Sequence, residues 1–157
     1  PAQYKVMCNI SRFLLMKDNK GDCSFLLFRG DINGYYPCWV RRKIYPDAEP
    51  REECIAFSVY IKSGDFSGRG TFVYTVNEFR ELISQLTLIY ITLDGEVRIA
   101  YADSDDYVHI ICGSYGHIKV EAQLGGSWRD NWVKLLLNTD QTVLNEVIQQ
   151  CNSILKN

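Results

Sequence analysis

This chain of 157 residues has two histidines, His109 and His117, and both fall in one predicted hairpin. His109 and Glu121 fall on neighbouring predicted strands, where a hairpin would place them opposite each other on the solvent face. A His–Glu pair can act as a general acid–base couple, for example in a nuclease. Opposite charges also pair across exposed sheet faces without any catalytic role. Because no set of His, Cys and carboxylate groups converges around the pair, we expect that the protein is not an enzyme and has no catalytic residues.

Other chemical motifs are weak. Residues 66–70 (Phe-Ser-Gly-Arg-Gly) look like a phosphate-binding loop, but they lead into a predicted strand, whereas such loops need a helix N-terminus. Asp103, Asp105 and Asp106 could suggest calcium, but the glycine and the distal glutamate of an EF-hand loop are missing. No two cysteines form a CxxC pair that would indicate zinc. We therefore expect neither a metal nor a cofactor.

The six cysteines are scattered along the chain: Cys8, Cys23, Cys38, Cys54, Cys112 and Cys151. Two of them fall on apolar faces of predicted elements, where a thiol behaves as a small hydrophobe. A disulfide framework is possible by count, but a chain of this length can build a core without crosslinks. We therefore expect reduced thiols and a cytoplasmic location. No apolar run is long enough to span a membrane.

The region from Glu96 to Asn157 organises the predicted fold, because four strands with alternating apolar residues precede a helix. In the second hairpin, the apolar faces match if Cys112 lies opposite Ile118, Ile110 opposite Val120, and Val108 opposite Ala122. In the first hairpin we expect Tyr101 opposite Val108 and Ile99 opposite Ile110, which leaves residues 103–106 as a four-residue loop. The fourth strand spans Trp132 to Asn138. One sheet face is thus apolar and the other polar.

Two helices are predicted. Thr75 and Glu78 fit a capping box, and Gly95 can end that helix in a left-handed conformation. Its apolar stripe comprises Phe79, Leu82, Ile83, Leu86, Tyr90 and Leu93. The second helix begins near Gln141 and carries the stripe Leu144, Val147, Ile148, Cys151, Ile154 and Leu155. We expect this helix to lie across the apolar face of the strands.

The first half of the chain is less regular. Strands are predicted around residues 4–10, 25–28, 55–61 and 71–74, and residues 35–50 read as a long surface connection with the basic run Arg41-Arg42-Lys43. The whole order is four strands, a helix, four strands and a helix. The sequence therefore predicts one α+β domain over residues 1–157, with helices on one side of a predominantly antiparallel β-sheet, including a C-terminal helix packed on the sheet.

Charge is unevenly spread along the chain. Residues 1–78 carry 11 Lys/Arg and 9 Asp/Glu, a net of +2, whereas residues 79–157 carry 6 and 10, a net of −4. An acidic C-terminal half argues against direct binding of nucleic acid and favours a basic partner.

Several short motifs between residues 55 and 157 resemble the WapI family of bacterial immunity proteins. They are Phe66-Ser67-Gly68 before a short strand, Asp94-Gly95 after a helix, Gly116-His117-Ile118-Lys119-Val120, and Thr139-Asp140-Gln141-Thr142 before the last helix. The resemblance implies a cytoplasmic antitoxin that blocks the toxic C-terminal domain of a contact-dependent or polymorphic toxin, often a nuclease. No binding residue carries over from the family. A small-molecule-binding or regulatory α+β domain is the alternative.

A partner surface is expected at one end of the predicted meander, because alternate loops share an end. The 103–106 and 125–131 loops would lie two strand spacings apart, about 10 Å. They carry three aspartates, an aromatic residue and a fourth aspartate: Asp103, Asp105, Asp106, Trp128 and Asp130. Trp128 would anchor a basic toxin cleft and the acids would steer the encounter. The alternative is that these are solvated loops with Trp128 folded back onto the sheet edge.

Overall fold

In the part of the chain that the structure describes, the strands form two four-stranded antiparallel sheets, and one helix follows each sheet. The computed structural model describes residues 16–18, 21–29, 54–102, 104–125 and 131–156. The first sheet contains β1 (Met16–Asp18), β2 (Gly21–Arg29), β3 (Cys54–Ser63) and β4 (Phe66–Thr75), in sequence order, and α1 (Val76–Thr92) follows it. The second contains β5 (Gly95–Ala100), β6 (Tyr107–Cys112), β7 (His117–Leu124) and β8 (Val133–Asp140), and α2 (Thr142–Lys156) ends the fold.

The predicted α+β class and the antiparallel strands are confirmed, but the strands divide into two sheets. Helix α1 separates β4 from β5 in the sequence, so no hairpin joins them. Alternation along a strand fixes which face is buried and does not determine which strands share a sheet. The predicted strand at residues 4–10 and the basic connection at 35–50 lie outside the described residues.

The register of the second sheet is partly as predicted. In β6 and β7, Cys112 pairs with Ile118, Ile110 with Val120, and Val108 with Ala122, which confirms the second hairpin. The first hairpin differs by two residues, because Ile99 pairs with Val108 and Val97 with Ile110. A shift of two leaves every side chain on its predicted face, so the apolar pattern cannot distinguish the two registers. The connection between the strands therefore has six residues, 101–106, instead of four.

Helix α1 begins as predicted and ends differently. Thr75 Oγ1 accepts the Glu78 N–H (3.1 Å), and a Glu78 carboxylate oxygen accepts the Thr75 N–H (2.7 Å), which forms the capping box. Leu93 instead of Gly95 adopts the left-handed conformation at the helix end (φ 55°), and its N–H donates to Ile89 O. The buried face consists of Phe79, Leu82, Leu86 and Ile89.

In the last turn of α1 the structure therefore buries Ile89 and leaves Tyr90 and Leu93 exposed, contrary to the predicted stripe. The spacing of 3.6 residues per turn selects Ile89, which lies three residues after Leu86 on the same face.

Helix α2 begins at the predicted position, where the Thr142 N–H and hydroxyl both donate to Asp140 Oδ1 at 2.9 and 2.6 Å. These hydrogen bonds hold the pKa of Asp140 below its usual value. The buried face of the helix comprises Val143, Leu144, Val147, Cys151 and Ile154, which join one core with residues of both sheets. Helix α2 makes its main contacts with α1 and with β2 of the first sheet. The prediction that it lies across the strands of the second sheet is therefore wrong, because the grouping of the strands into two sheets places the apolar face of the helix against the first sheet.

Two glycines of β4 allow the sheets to pack closely. A Cβ atom on Gly68 would lie 2.5 Å from Val133 Cγ1, and one on Gly70 would lie 2.7 Å from Leu124 Cδ2. Glycine inside a strand typically marks such a close approach. The glycines that resembled a phosphate-binding loop therefore lie within a strand and serve packing between β4 and the strands β7 and β8.

Candidate partner-binding surface

In the meander of the second sheet, β5 ends and β6 begins at the same end at which β7 ends and β8 begins. Of the five predicted partner-binding residues, Asp103, Trp128 and Asp130 lie outside the described residues. Asp105 is exposed, and its backbone oxygen accepts a hydrogen bond from Gln123 Nε2 (3.2 Å). This contact ties the loop to β7, and Asp105 is exposed in a part of the loop that the structure describes.

Asp106 is buried, with only 6% of its surface exposed. Its N–H donates to Ser104 Oγ (3.1 Å), and its carboxylate lies above Gly70 of the first sheet. The inward direction of the Asp106 side chain follows from strand alternation. Asp106 precedes Val108 by two residues and Ile110 by four, and both of these face the core. The carboxylate is therefore directed between the sheets rather than towards the loop surface.

The outer face of the second sheet carries paired charges and aromatic rings. Arg98 lies over the Tyr107 ring, with its guanidinium carbon 4.2 Å from the centroid. Lys134 lies 5.3 Å from the centroid of the Trp132 ring, which is half-exposed. Leu136 is also half-exposed two residues further along β8. The sequence placed Trp132 at the start of the fourth strand, and the alternation of Val133, Leu135 and Leu137 put it on the opposite, solvent face. The structure confirms that the ring is accessible, although the strand begins one residue later, at Val133.

The predicted His109–Glu121 couple is opposed in register, but each side chain bonds to another partner. His109 Nε2 lies 2.9 Å from a Glu96 carboxylate oxygen, and Lys119 Nζ lies 2.5 Å from Glu121 Oε1. The hydrogen bond and charge of Lys119 lower the pKa of Glu121 below its ordinary value. A lowered pKa keeps this carboxylate ionised, so the two residues take part in ordinary cross-strand and same-strand pairing.

A groove of about 280 Å³ lies between α1 and the edge of β5. Its helix wall is one stripe at i, i+3, i+4 and i+7, formed by Glu78, Glu81, Leu82 and Gln85, and its other wall is formed by Tyr74, Arg98 and Ala100. Sequence reasoning missed this groove, because it depends on how α1 lies along β5. The capping box and the helical spacing were the only signals for its helix wall.

Tyr74 closes one end of this groove. Its hydroxyl accepts the Ala100 N–H (3.1 Å), which links the end of β4 to the end of β5. Burial raises the pKa of Tyr74, while the hydrogen bond from Ala100 lowers it to a smaller extent. The tyrosine therefore stays protonated at neutral pH and fixes the position of the β5 edge.

A second hollow, of about 450 Å³, lies beside the β6–β7 hairpin and is lined by Ile111, Gly113, His117, Ile118, Lys119, Asn138 and Thr139. At the hairpin tip, Tyr115 is almost fully exposed and adopts a positive φ of 63°. In the part of the chain that the structure describes, no group of three His, Cys, Asp or Glu residues could hold a metal ion. Within the same residues, no helix is both long and apolar enough to cross a membrane.

The comparison with protein families decides what kind of protein carries these features. The model of the immunity protein WapI-like family matches residues 28–157, most of the chain. The chain belongs to the WapI-like immunity protein family. The match begins earlier than the resemblance at residues 55–157, so it also includes the last two residues of β2 and the residues between β2 and β3. Neither the curated proteins nor the solved structures contain a match to this chain.

Membership of an immunity family gives the surface features a context. Immunity proteins act by binding a toxin, so exposed aromatic rings, charged rims and open sheet edges are the features to weigh as contact sites. In this WapI-like protein, the groove along β5 and the 101–106 loop are two candidate contact sites. They are adjacent in the chain, because Ala100 borders the groove and the loop begins at the next residue.

Proposed function

We propose that this WapI-like protein neutralises a cognate bacterial toxin by binding the toxin's C-terminal domain and blocking its active site or substrate cleft. The family match over residues 28–157 is the observation that carries this proposal. The toxin belongs to a contact-dependent or polymorphic system and is a nuclease, and the encounter takes place in the cytoplasm. The immunity protein itself performs no catalysis and binds no nucleic acid.

The charge distribution supports a basic target. A nuclease cleft must attract phosphate and is therefore basic, and an inhibitor that occupies it gains from acidic residues. Residues 79–157 carry a net charge of −4, and this half includes the whole second sheet. Electrostatic attraction of this kind raises the association rate and depends on salt.

The contact site is proposed at the loop end of the second sheet. Asp105 is exposed there, and Asp103, Trp128 and Asp130 belong to the same two connections. Asp106 supports the loop from below, since it lies against Gly70. A tryptophan anchor surrounded by acids would fit an apolar spot within a basic cleft.

The alternative, a small-molecule-binding domain, receives less support. Such sites are concave, and they bury most of the ligand's surface in a mainly apolar lining. The groove along β5 is lined mostly by polar and charged side chains. The hollow beside the β6–β7 hairpin has a mainly apolar lining, but it is open to solvent and would not enclose most of a ligand's surface.

Co-expression tests the proposed function. The toxin C-terminal domain encoded by the neighbouring open reading frame is produced with and without this chain, with an affinity tag on the toxin. We expect cells to survive only in the presence of this chain, and a stable complex to be recovered on the tag. Growth arrest in spite of a well-expressed immunity protein, with no complex recovered, would contradict the proposal.

A further inference from the structure

The edge of β5 has backbone groups available for pairing. β5 is the outermost strand of the second sheet, and among the described residues only β6 pairs with it. The Ala100 N–H donates to Tyr74, so it points away from β6. Because antiparallel strands alternate the direction of their backbone groups, the N–H and C=O groups of Arg98 and Glu96 also face the open edge. An open row of such groups is a template for another strand.

The groove beside this edge offers an added strand a flanking wall. Its lining runs along the first half of α1 on one side and along the end of β5 on the other. Extended peptides bind to several protein families in this way, between a sheet edge and a flanking element, with main-chain hydrogen bonds supplying affinity. A segment of about six residues, at about 3.3 Å per residue, would match the length of β5, which has six residues.

The charge of the groove selects the kind of segment. Glu78 and Glu81 contribute two carboxylates to the lining, and Asp94 is exposed immediately before β5. Among the described residues that line the groove, Arg98 is the one cation, and its guanidinium lies over the Tyr107 ring. The lining therefore complements basic side chains.

We propose that a basic, extended segment of the toxin pairs with the open edge of β5 and lies in the groove between β5 and α1. The proposal rests on the proposed function and deepens it by naming the contact. The added strand places its alternate Lys or Arg side chains near Glu78 and Glu81.

Hydrogen exchange of the complex with the toxin domain tests the main-chain pairing. In the protein alone, the Arg98 amide should exchange fast, whereas Val97 and Ile99 are protected by β6. On binding, we expect the exchange of the Arg98 amide to slow at least about tenfold, as for other hydrogen-bonded strand amides. A complex that forms while the Arg98 amide exchanges at its original rate would overturn the proposal and leave the proposed function intact.

Two pairs of variants test the groove separately. Gln85→Trp fills the groove, and Ser84→Trp places the same bulk on an exposed neighbouring position outside it. Glu81→Lys reverses a groove charge, and Asp65→Lys makes the same reversal in the β3–β4 turn, at the far end of β4 from Tyr74. We expect the two groove variants to weaken toxin binding roughly tenfold or more, and the two controls to bind as the original protein does.

Thermal unfolding of all four variants shows whether the fold is kept, since every substituted residue is exposed. Equal affinities for the groove variants and their controls would overturn the proposal. Failure of the unmodified protein to bind the toxin domain at all would instead overturn the proposed function, so the two failures can be told apart.

Discussion

Gly68 of β4 packs so closely against Val133 of β8 that a Cβ atom on the glycine would lie 2.5 Å from Val133 Cγ1 and 3.0 Å from Leu124 Cβ. Real Cβ atoms do not approach another carbon atom so closely, so either the valine or the strand would have to move. The contact joins the two sheets at their edges, where Ser63 Oγ also donates to Leu136 O (2.9 Å). The spacing between the sheets therefore depends on the absence of a side chain at this position.

The first prediction follows from this contact. Gly68→Ala should lower the free energy of unfolding by about 1–3 kcal/mol, because inserting a methyl group into a packed interface forces displacement of its neighbours. Urea denaturation measures the change. Gly113→Ala is the matched control, since the nearest atom to a Cβ there lies 3.9 Å away. Equal losses in both variants would show that the sheets adjust easily at Gly68.

The sequence predicted the buried face of the strands of the second sheet well, whereas it missed the buried face of the last turn of α1. The alternation from Ile118 to Leu124 allowed only one face of β7 to be buried, and the register with β6 was predicted correctly. For β5 the same apolar pattern is compatible with two registers that differ by two residues. The structure adopts the register that leaves a six-residue loop. The grouping into two sheets could not be derived, because it depends on contacts between Gly68 and Val133 that are distant in sequence.

The candidate site was harder to predict than the fold. Three aspartates close together in a loop suggested one acidic surface, yet strand alternation turns Asp106 inwards and leaves Asp105 outside. The groove between α1 and β5 could not be predicted from the sequence, because its two walls are separated along the chain. The groove exists only through the way α1 lies along β5.

The second prediction concerns helix α2. Val147 is 1% exposed, whereas Ile148 is only partly buried, so the strongest effect is expected at Val147. Val147→Asp would place an unpaired charge in the core and should destabilise the protein by about 3 kcal/mol or more. Ile148→Asp should cost less, and Gln149→Asp, on the exposed face, should change little. Thermal unfolding compares the three variants, and three equal melting temperatures would mean that the helix is not docked as described.

The third prediction concerns alkaline pH. Burial raises the pKa of the Cys151 thiol from 9.0 to about 12. The native state thus keeps this proton at a pH where the unfolded chain loses it, so stability is fully present below pH 9 and is lost as the pH rises towards 12. The unfolding free energy of Cys151→Ala should therefore fall less steeply between pH 9 and 11. Parallel curves for the two proteins, measured by urea denaturation, would argue against a buried thiol.

The fourth prediction tests the loop end of the second sheet. Trp128→Ala should weaken toxin binding by about tenfold or more if its ring is a central anchor. The double substitution of Asp103 and Asp105 by Ser should reduce the association rate and its salt dependence. Asp65→Ser, in the β3–β4 turn, removes one acid elsewhere and serves as the control. Unchanged affinity and unchanged salt dependence in both loop variants would exclude this end of the sheet.

The central claim is that this WapI-like protein binds and blocks a toxin, and calorimetric titration tests it most directly. The purified chain is titrated with the toxin C-terminal domain encoded beside it, and residual toxin activity is measured at each ratio. We predict a one-to-one complex with a dissociation constant below about 1 μM, equivalent to about −8 kcal/mol, and toxin activity that reaches zero at equimolar immunity protein. The absence of measurable heat at tens of micromolar, with toxin activity undiminished, would contradict the account.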